Sequence, residues 1–184
     1  MPHPYGLDEP SMALTQRSAA LAAEVIARHA AEVDRDGRFP LESVIALGTA
    51  GLLGLCVPGE EDGLGRGPRA FAAIAEVLDD ACASTAMVFV MHTSATQAIV
   101  SSKSLGDRGA LLNAIARGKH LTTLALSEKG SRSQFWASVS KLVVKGDGFV
   151  TNAAKSWVTA ASHADSYVAS AQMPDARSPL ESNA

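Results

Sequence analysis

At His120 the spacing of apolar residues changes period, and the change divides the chain into two kinds of structure. Before it, apolar residues recur every three or four positions, which lines one face of a helix. After it, "LTTLALS", "ASVSKLVV", "FVTNAAKSWVTA" and "SYVASAQM" alternate and read as strands, with "KGDG" as a hairpin turn between two of them. The expectation is an α+β chain, with an all-α helical bundle over residues 1–119 and an antiparallel β-barrel-like domain over 120–184. So few strands leave edges that a finished sheet would pair or cover, so the β part is expected to be truncated.

The helical part reads as five helices. Leu21, Ala22, Val25, Ile26 and Val33 form the inner face of the first, which stops near Gly37. Pro40 opens the second, because proline's missing N–H is no loss in a first turn. Pro68 opens the third, with Phe71, Ile74, Ala75 and Leu78 inward. Ser84 or Thr85 is expected to cap the fourth, "STAMVFVMHTSATQAIVSS", which is apolar on nearly every face and should be the central, most buried helix. The fifth spans about Ala110 to Arg117 and is ended by Gly118.

Composition narrows the partners. A chain of 184 residues with 47% hydrophobic content can bury a real core. A net charge of -3, well mixed along the sequence, gives no electrostatic reason to expect nucleic acid or an anionic membrane. The longest apolar stretch, Ala86 to Val100, is interrupted by His92, Thr93, Ser94, Thr96 and Gln97, too polar to span a bilayer. The opening "MPHPYGLDEP" does not read as a signal peptide, so the expected compartment is the cytoplasm. Cys56 and Cys82 have no CxxC or metal-ligand spacing and read as buried free thiols; no metal site is expected.

Most polar candidates reduce to ordinary structure. The glycine-rich "GEEDGLGRGPRAF" lacks GxxxxGK[ST] and follows no strand, so it reads as a connection between helices. His92 has no second ligand three or four residues away and reads as a hydrogen-bonded core histidine. Glu60 with Glu61, and Asp79 with Asp80, are adjacent and do not face each other on a helix. The pair "LALSEKGSRS" and "KSWVTA" is different. Two neighbouring strand ends that offer Ser127, Trp157 and Thr159 could present an aromatic wall with hydrogen-bond donors, as a planar heteroaromatic cofactor needs. The same pattern also fits a capped strand end with a core tryptophan.

Together "DRDGRFP", "GLLGLCVPGEEDGLG", "LALSEKGSRS" and "DGFVTNAAKSWVTAASHADSYV" resemble, in order and spacing, the acyl-CoA dehydrogenase family. The resemblance runs from about residue 14 to the end. It implies an FAD flavoprotein with an N-terminal helical domain, a middle β domain and a C-terminal helical domain. The implied reaction is α,β-dehydrogenation of an acyl-CoA thioester, with an electron-transfer acceptor and a homo-oligomer at full length. By position, Leu126 and Ser127 would meet the flavin ring, Trp157 would flank it, Thr159 would hydrogen-bond near its reactive nitrogen, and Ser133 would face the substrate. The family's catalytic glutamate belongs to the C-terminal domain, so no catalytic residue is expected in this chain, and Glu128 is not its substitute. Lys129, Arg132, Gln134 and Ala160 depart from the family's usual residues and leave the substrate open. Two other functions fit the same residues: a flavin-dependent oxidase or monooxygenase of this fold, and a non-catalytic helical interaction module.

Overall fold

The computed structural model describes residues 5–131, 134–180 and 182–183. Asp8 starts the first helical run, its carboxylate accepting the Ser11 N–H at 2.9 Å. The run comprises α1 (Glu9–Leu21), a π-helical stretch (Ala22–Ile26) and α2 (Ala27–Asp36), and it ends where Gly37 turns left-handed at φ 59°. Pro40 then precedes α3 (Leu41–Thr49).

The glycine-rich connection folds on itself. The N–H groups of Leu64, Gly65 and Arg66 donate to the carbonyls of Gly54, Val57 and Leu55 at 2.8–3.0 Å, so none of these three is left facing a phosphate. Only glycine fits at position 63, where a Cβ would lie 2.0 Å from the Val57 carbonyl oxygen.

Pro68 opens α4 (Pro68–Ala81), as its sequence predicts, and α5 (Ala83–Ser101) follows after a single extended residue, Cys82. The expected Ser84 or Thr85 cap is corrected. The helix begins at Ala83 without a side-chain cap, and Thr85 lies fully buried with its hydroxyl unpaired. The rest of the expectation for this helix holds: Phe89, His92, Ala95 and Thr96 are wholly buried, and α5 packs against α4 on one side. Ile26, Leu47, Leu55, Ile74, Leu78 and Phe89 form the centre of the core, with Phe71 stacked on Phe89 at 5.8 Å between ring centroids. A smaller cluster joins Val57 and Ile99 to Leu112 and Ile115 of α6 (Arg108–Ala116).

His92 is the core histidine expected. Its Nε2 lies 3.1 Å from the Leu53 carbonyl oxygen, and its Nδ1 accepts the Thr122 N–H at 3.1 Å. A neutral ring protonated on Nε2 satisfies both partners. Burial pushes its pKa down to about 4, against the opposing pull of the Leu53 and Thr122 backbone and with help from the nearby His120. Cys56 and Cys82 are free and buried, also as expected.

Beyond α6, β1 (Thr122–Ala125) lies on α5 and pairs with β4 (Ser166–Ala169). The pairing is parallel, Thr122 opposite Ser166 and Ala125 opposite Ala169. Asp165 pins the start of the pair: its carboxylate accepts the Leu121 N–H and its own N–H reaches the Leu121 carbonyl, both at 2.8 Å. The predicted hairpin forms from β2 (Val143–Lys145) and β3 (Gly148–Val150), with Gly146 left-handed in the turn. β5 (Ala171–Gln172) pairs with β6 (Ser182–Asn183). The α+β class and helical bundle therefore hold, whereas the antiparallel barrel-like layout is corrected. The described strands form three separate pairs, one of them parallel. The strand expected over "FVTNAAKSWVTA" stops at Val150, and farther along Trp157 and Ala160 are left-handed at φ 57° and 60°, a conformation that breaks a ladder.

Candidate functional site

Two segments meet beyond the end of β1. The first is Leu126-Ser127-Glu128, where the chain leaves the strand; the second is Lys155 to His163. They cross antiparallel at Glu128 and Lys155, and the Ser156 N–H donates to the Ser127 carbonyl at 2.9 Å. This crossing sets Ser127 beside the residue that precedes Trp157.

The crossing is held by a buried ion pair. Lys155 Nζ lies 2.5 Å from Glu128 Oε1, with side-chain exposures of 13% and 4%. The other acid oxygen accepts the N–H groups of Val139 and Ser140 at 3.0 and 2.6 Å, and Oε1 also takes the Ser140 hydroxyl at 2.6 Å. Burial by itself would raise the Glu128 pKa. The hydrogen bonds from Lys155 and Ser140, with the lysine charge, outweigh it and hold the carboxyl below its usual range. A carboxylate so fully engaged is a poor base.

From Lys155 the chain enters a series of tight turns. The N–H groups of Ala161 and His163 close back on the carbonyls of Val158 and Ala160. Trp157 stands 94% exposed at the head of these turns, which overturns the core-tryptophan alternative. Thr159 is half-buried and lines a cavity of about 640 Å³ between Val158–His163, the α2–α3 connection at Phe39 and Pro40, and Ala83 and Met87 of α5. The cavity lining includes a stack of Phe39 on His163, 3.9 Å between centroids and 9° from parallel. The Ser127 and Thr159 hydroxyls take part in no hydrogen bond among the described residues.

Of the residues expected to form a site, Leu126, Ser127, Trp157 and Thr159 thus lie on two segments that the fold joins. Leu126 and Ser127 are half-buried, and Ser133 and Arg132 lie outside the described residues. Sequence reasoning did not single out Lys155, Phe39 or His163. Lys155 had a signal, being a lone charge in a small-residue run that pairs with a strand carrying one opposite charge. Phe39 and His163 had none, because 124 positions of chain separate them.

Comparison with known proteins concerns the chain as a whole. The family of acyl-CoA dehydrogenase N-terminal domains matches residues 9–119. Human mitochondrial short-chain specific acyl-CoA dehydrogenase is 31% identical over 163 residues, covering 88% of this chain and 40% of that protein. Glutaryl-CoA dehydrogenase from Mycobacterium smegmatis shares the fold with a TM-score of 0.81 at 20% identity, over 92% of this chain and 44% of that one. KijD3, solved with FMN and an amino-keto sugar nucleotide, superposes with a TM-score of 0.77 at 26% identity, over 93% and 42% of the two chains. The chain spans about two fifths of the length of the curated relatives it matches.

Proposed function

The chain belongs to the acyl-CoA dehydrogenase family, and we propose that it supplies the helical domain (1–119) and part of the middle β domain (120–184) of an FAD-dependent acyl-CoA dehydrogenase. The observation that carries this reading is the exposed Trp157, left-handed and tied through Ser156 to Ser127, with Thr159 facing a cavity two residues on. An exposed indole and two hydroxyls without partners among the described residues are a set that a flavin ring fits.

In this reading Leu126 and Ser127 would meet the flavin ring, Trp157 would flank it, and the Thr159 hydroxyl would hydrogen-bond to it. The chemistry FAD supplies there is acceptance of the hydride lost from the β carbon of an acyl-CoA thioester as the α proton leaves. Ser133 is assigned to the thioester substrate and no residue of this chain to the base. Glu128 stays an anion held by four donors. An electron-transfer protein as acceptor, a homo-oligomer and a cytoplasmic location complete the proposal. Among the described residues no helix is long and apolar enough to cross a membrane.

The FMN-bound neighbour favours a second reading, a flavin-dependent oxidase or monooxygenase of the same fold. Equilibrating the purified chain with FAD or FMN and removing the unbound fraction tests both. Retained FAD that Trp157→Ala loses supports the site, and no retained flavin of either kind refutes it for this chain. Rapid oxidation of the reduced flavin by oxygen would favour the second reading.

A further inference from the structure

The Lys155 ammonium lies where four stretches of chain converge. It donates to Glu128 Oε1 at 2.5 Å, to the Ser170 carbonyl at 2.5 Å and to the Leu126 carbonyl at 3.4 Å. Glu128 passes the connection on to the Val139 and Ser140 backbone. Ser170 lies at the junction of β4 and β5, and its hydroxyl accepts that of Ser138 at 2.7 Å. Each strand of this region has only two to four residues. Ladder hydrogen bonds are therefore few, and this polar centre adds to the backbone bonds that Gln172 makes with Ser140 and Leu142 and Ser156 makes with Ser127.

Its location is specific. Leu126 and Ser127 immediately precede Glu128, while Trp157 and Thr159 follow Lys155 by two and four residues. A buried ion pair is weak evidence for stability, because both charges lose their hydration; its better-attested use is to fix register. An apolar pair of similar volume would hold these segments together, but without the directional donors that set one relative to the other.

We propose that Lys155 is a positioning residue for the flavin site, holding the Leu126–Ser127 edge and the Trp157–Thr159 turn at the spacing a flavin ring requires. The proposal rests on the flavin reading above and adds to it a residue that touches no flavin. Lys155 fixes the first segment through the Leu126 carbonyl and Glu128, and fixes the second through its own backbone. The third anchor, Ser170, ties both to β4, and through β4 to the strand that lies on α5. Trp157 holds a backbone conformation that bulky residues rarely adopt, so its neighbours must impose it.

The test combines amide hydrogen exchange on the flavin-free chain with FAD titration. Wild type is compared with Lys155→Met, Lys155→Arg and, as a control for loss of an exposed lysine, Lys145→Met. The expected result is faster exchange in Lys155→Met over residues 126–128 and 155–159, with the amides of α4 and α5 unchanged. FAD affinity is expected to fall at least about tenfold in Lys155→Met, while Lys155→Arg stays within about threefold of wild type and Lys145→Met is unaffected. If Lys155→Met does not fold, Glu128→Gln is read in its place. Unchanged FAD affinity in Lys155→Met overturns the proposal. So does faster exchange spread through α4 and α5, because the lysine would then act on global stability. If wild type binds no FAD while exchange in Lys155→Met rises only at the two segments, the flavin reading fails and the pair is a structural clamp alone. Unchanged exchange there instead sinks the clamp, whatever FAD does.

Discussion

The helical and β regions of this chain are held together by different means. In the helical region Ile26, Leu47, Leu55, Ile74, Leu78 and Phe89 lose essentially all contact with water, and packing does the work. In the β region Val143, Val144, Phe149 and Tyr167 remain about half exposed, and beyond β1 the connections withdrawn from water include polar ones, Glu128 with Lys155 and Ser138 with Ser170. The difference teaches where precision comes from. A close-packed core places helices but leaves the candidate site to a handful of directional bonds.

The contrast breaks most directly in the core. Phe89→Ala should cost about 4 kcal/mol by urea unfolding, since it removes a fully buried ring from the contact between α4 and α5. Phe149→Ala on the exposed face of the hairpin should change stability by no more than about 0.5 kcal/mol. Equal losses from the two would show that the hairpin face is covered in solution.

Acid separates the regions next. His92 has its pKa lowered to about 4 in the fold, so between the ordinary histidine value and that point the unfolded chain takes up a proton that the folded chain refuses. Stability is then complete above about pH 6.5 and falls by about 3 kcal/mol as the pH drops to about 4. His92→Gln keeps a donor and an acceptor without titrating, and should flatten that slope. Glu128 acts lower. Its depressed pKa contributes stability above the ordinary carboxylate value that is lost as pH falls through the folded value. Tryptophan fluorescence, whose two reporters Trp136 and Trp157 both lie in the β region, should therefore change at lower pH than the helical circular dichroism signal.

Glu128→Gln at neutral pH should cost about 2 kcal/mol, less than many broken buried pairs, because Lys155 keeps the Leu126 and Ser170 carbonyls as acceptors. The loss should appear as faster exchange in the β region with α4 and α5 protected. Global loss of protection would mean that the two regions unfold as one unit.

How far all this can be read in the sequence follows the same division. The helices are legible because their apolar spacing, Pro40, Pro68 and Gly37 act locally, within a turn or two of the residue concerned. His92 is legible as a core residue because the helix around it is apolar throughout. The parallel pairing of β1 with β4 is not, since residues 44 positions apart make it and nothing in either strand specifies direction. Ser127, Trp157 and Thr159 stand out in the local pattern as a candidate aromatic wall with donors, and family resemblance adds Leu126. Their convergence depends on the Glu128 and Lys155 pair and on two left-handed residues, Trp157 and Ala160, at positions where the side chain argues against that backbone.

A smaller gain is expected at Trp157 itself. A tryptophan at φ 57° with 94% of its surface in water gains little from packing and bears the steric conflict between its Cβ and the following carbonyl. Glycine adopts that conformation without the conflict, so Trp157→Gly should stabilise the chain by about 1 kcal/mol, a gain reduced somewhat by glycine's freedom in the unfolded state. Flavin binding should move the opposite way, because the stacking face is gone. Opposed signs in one variant would indicate that the residue is kept for what it touches when a ligand is present. If Trp157→Gly instead destabilised the chain by a kilocalorie or more, the indole would have to be packed in solution, and the β region would resemble the helical one more closely than its exposed face implies.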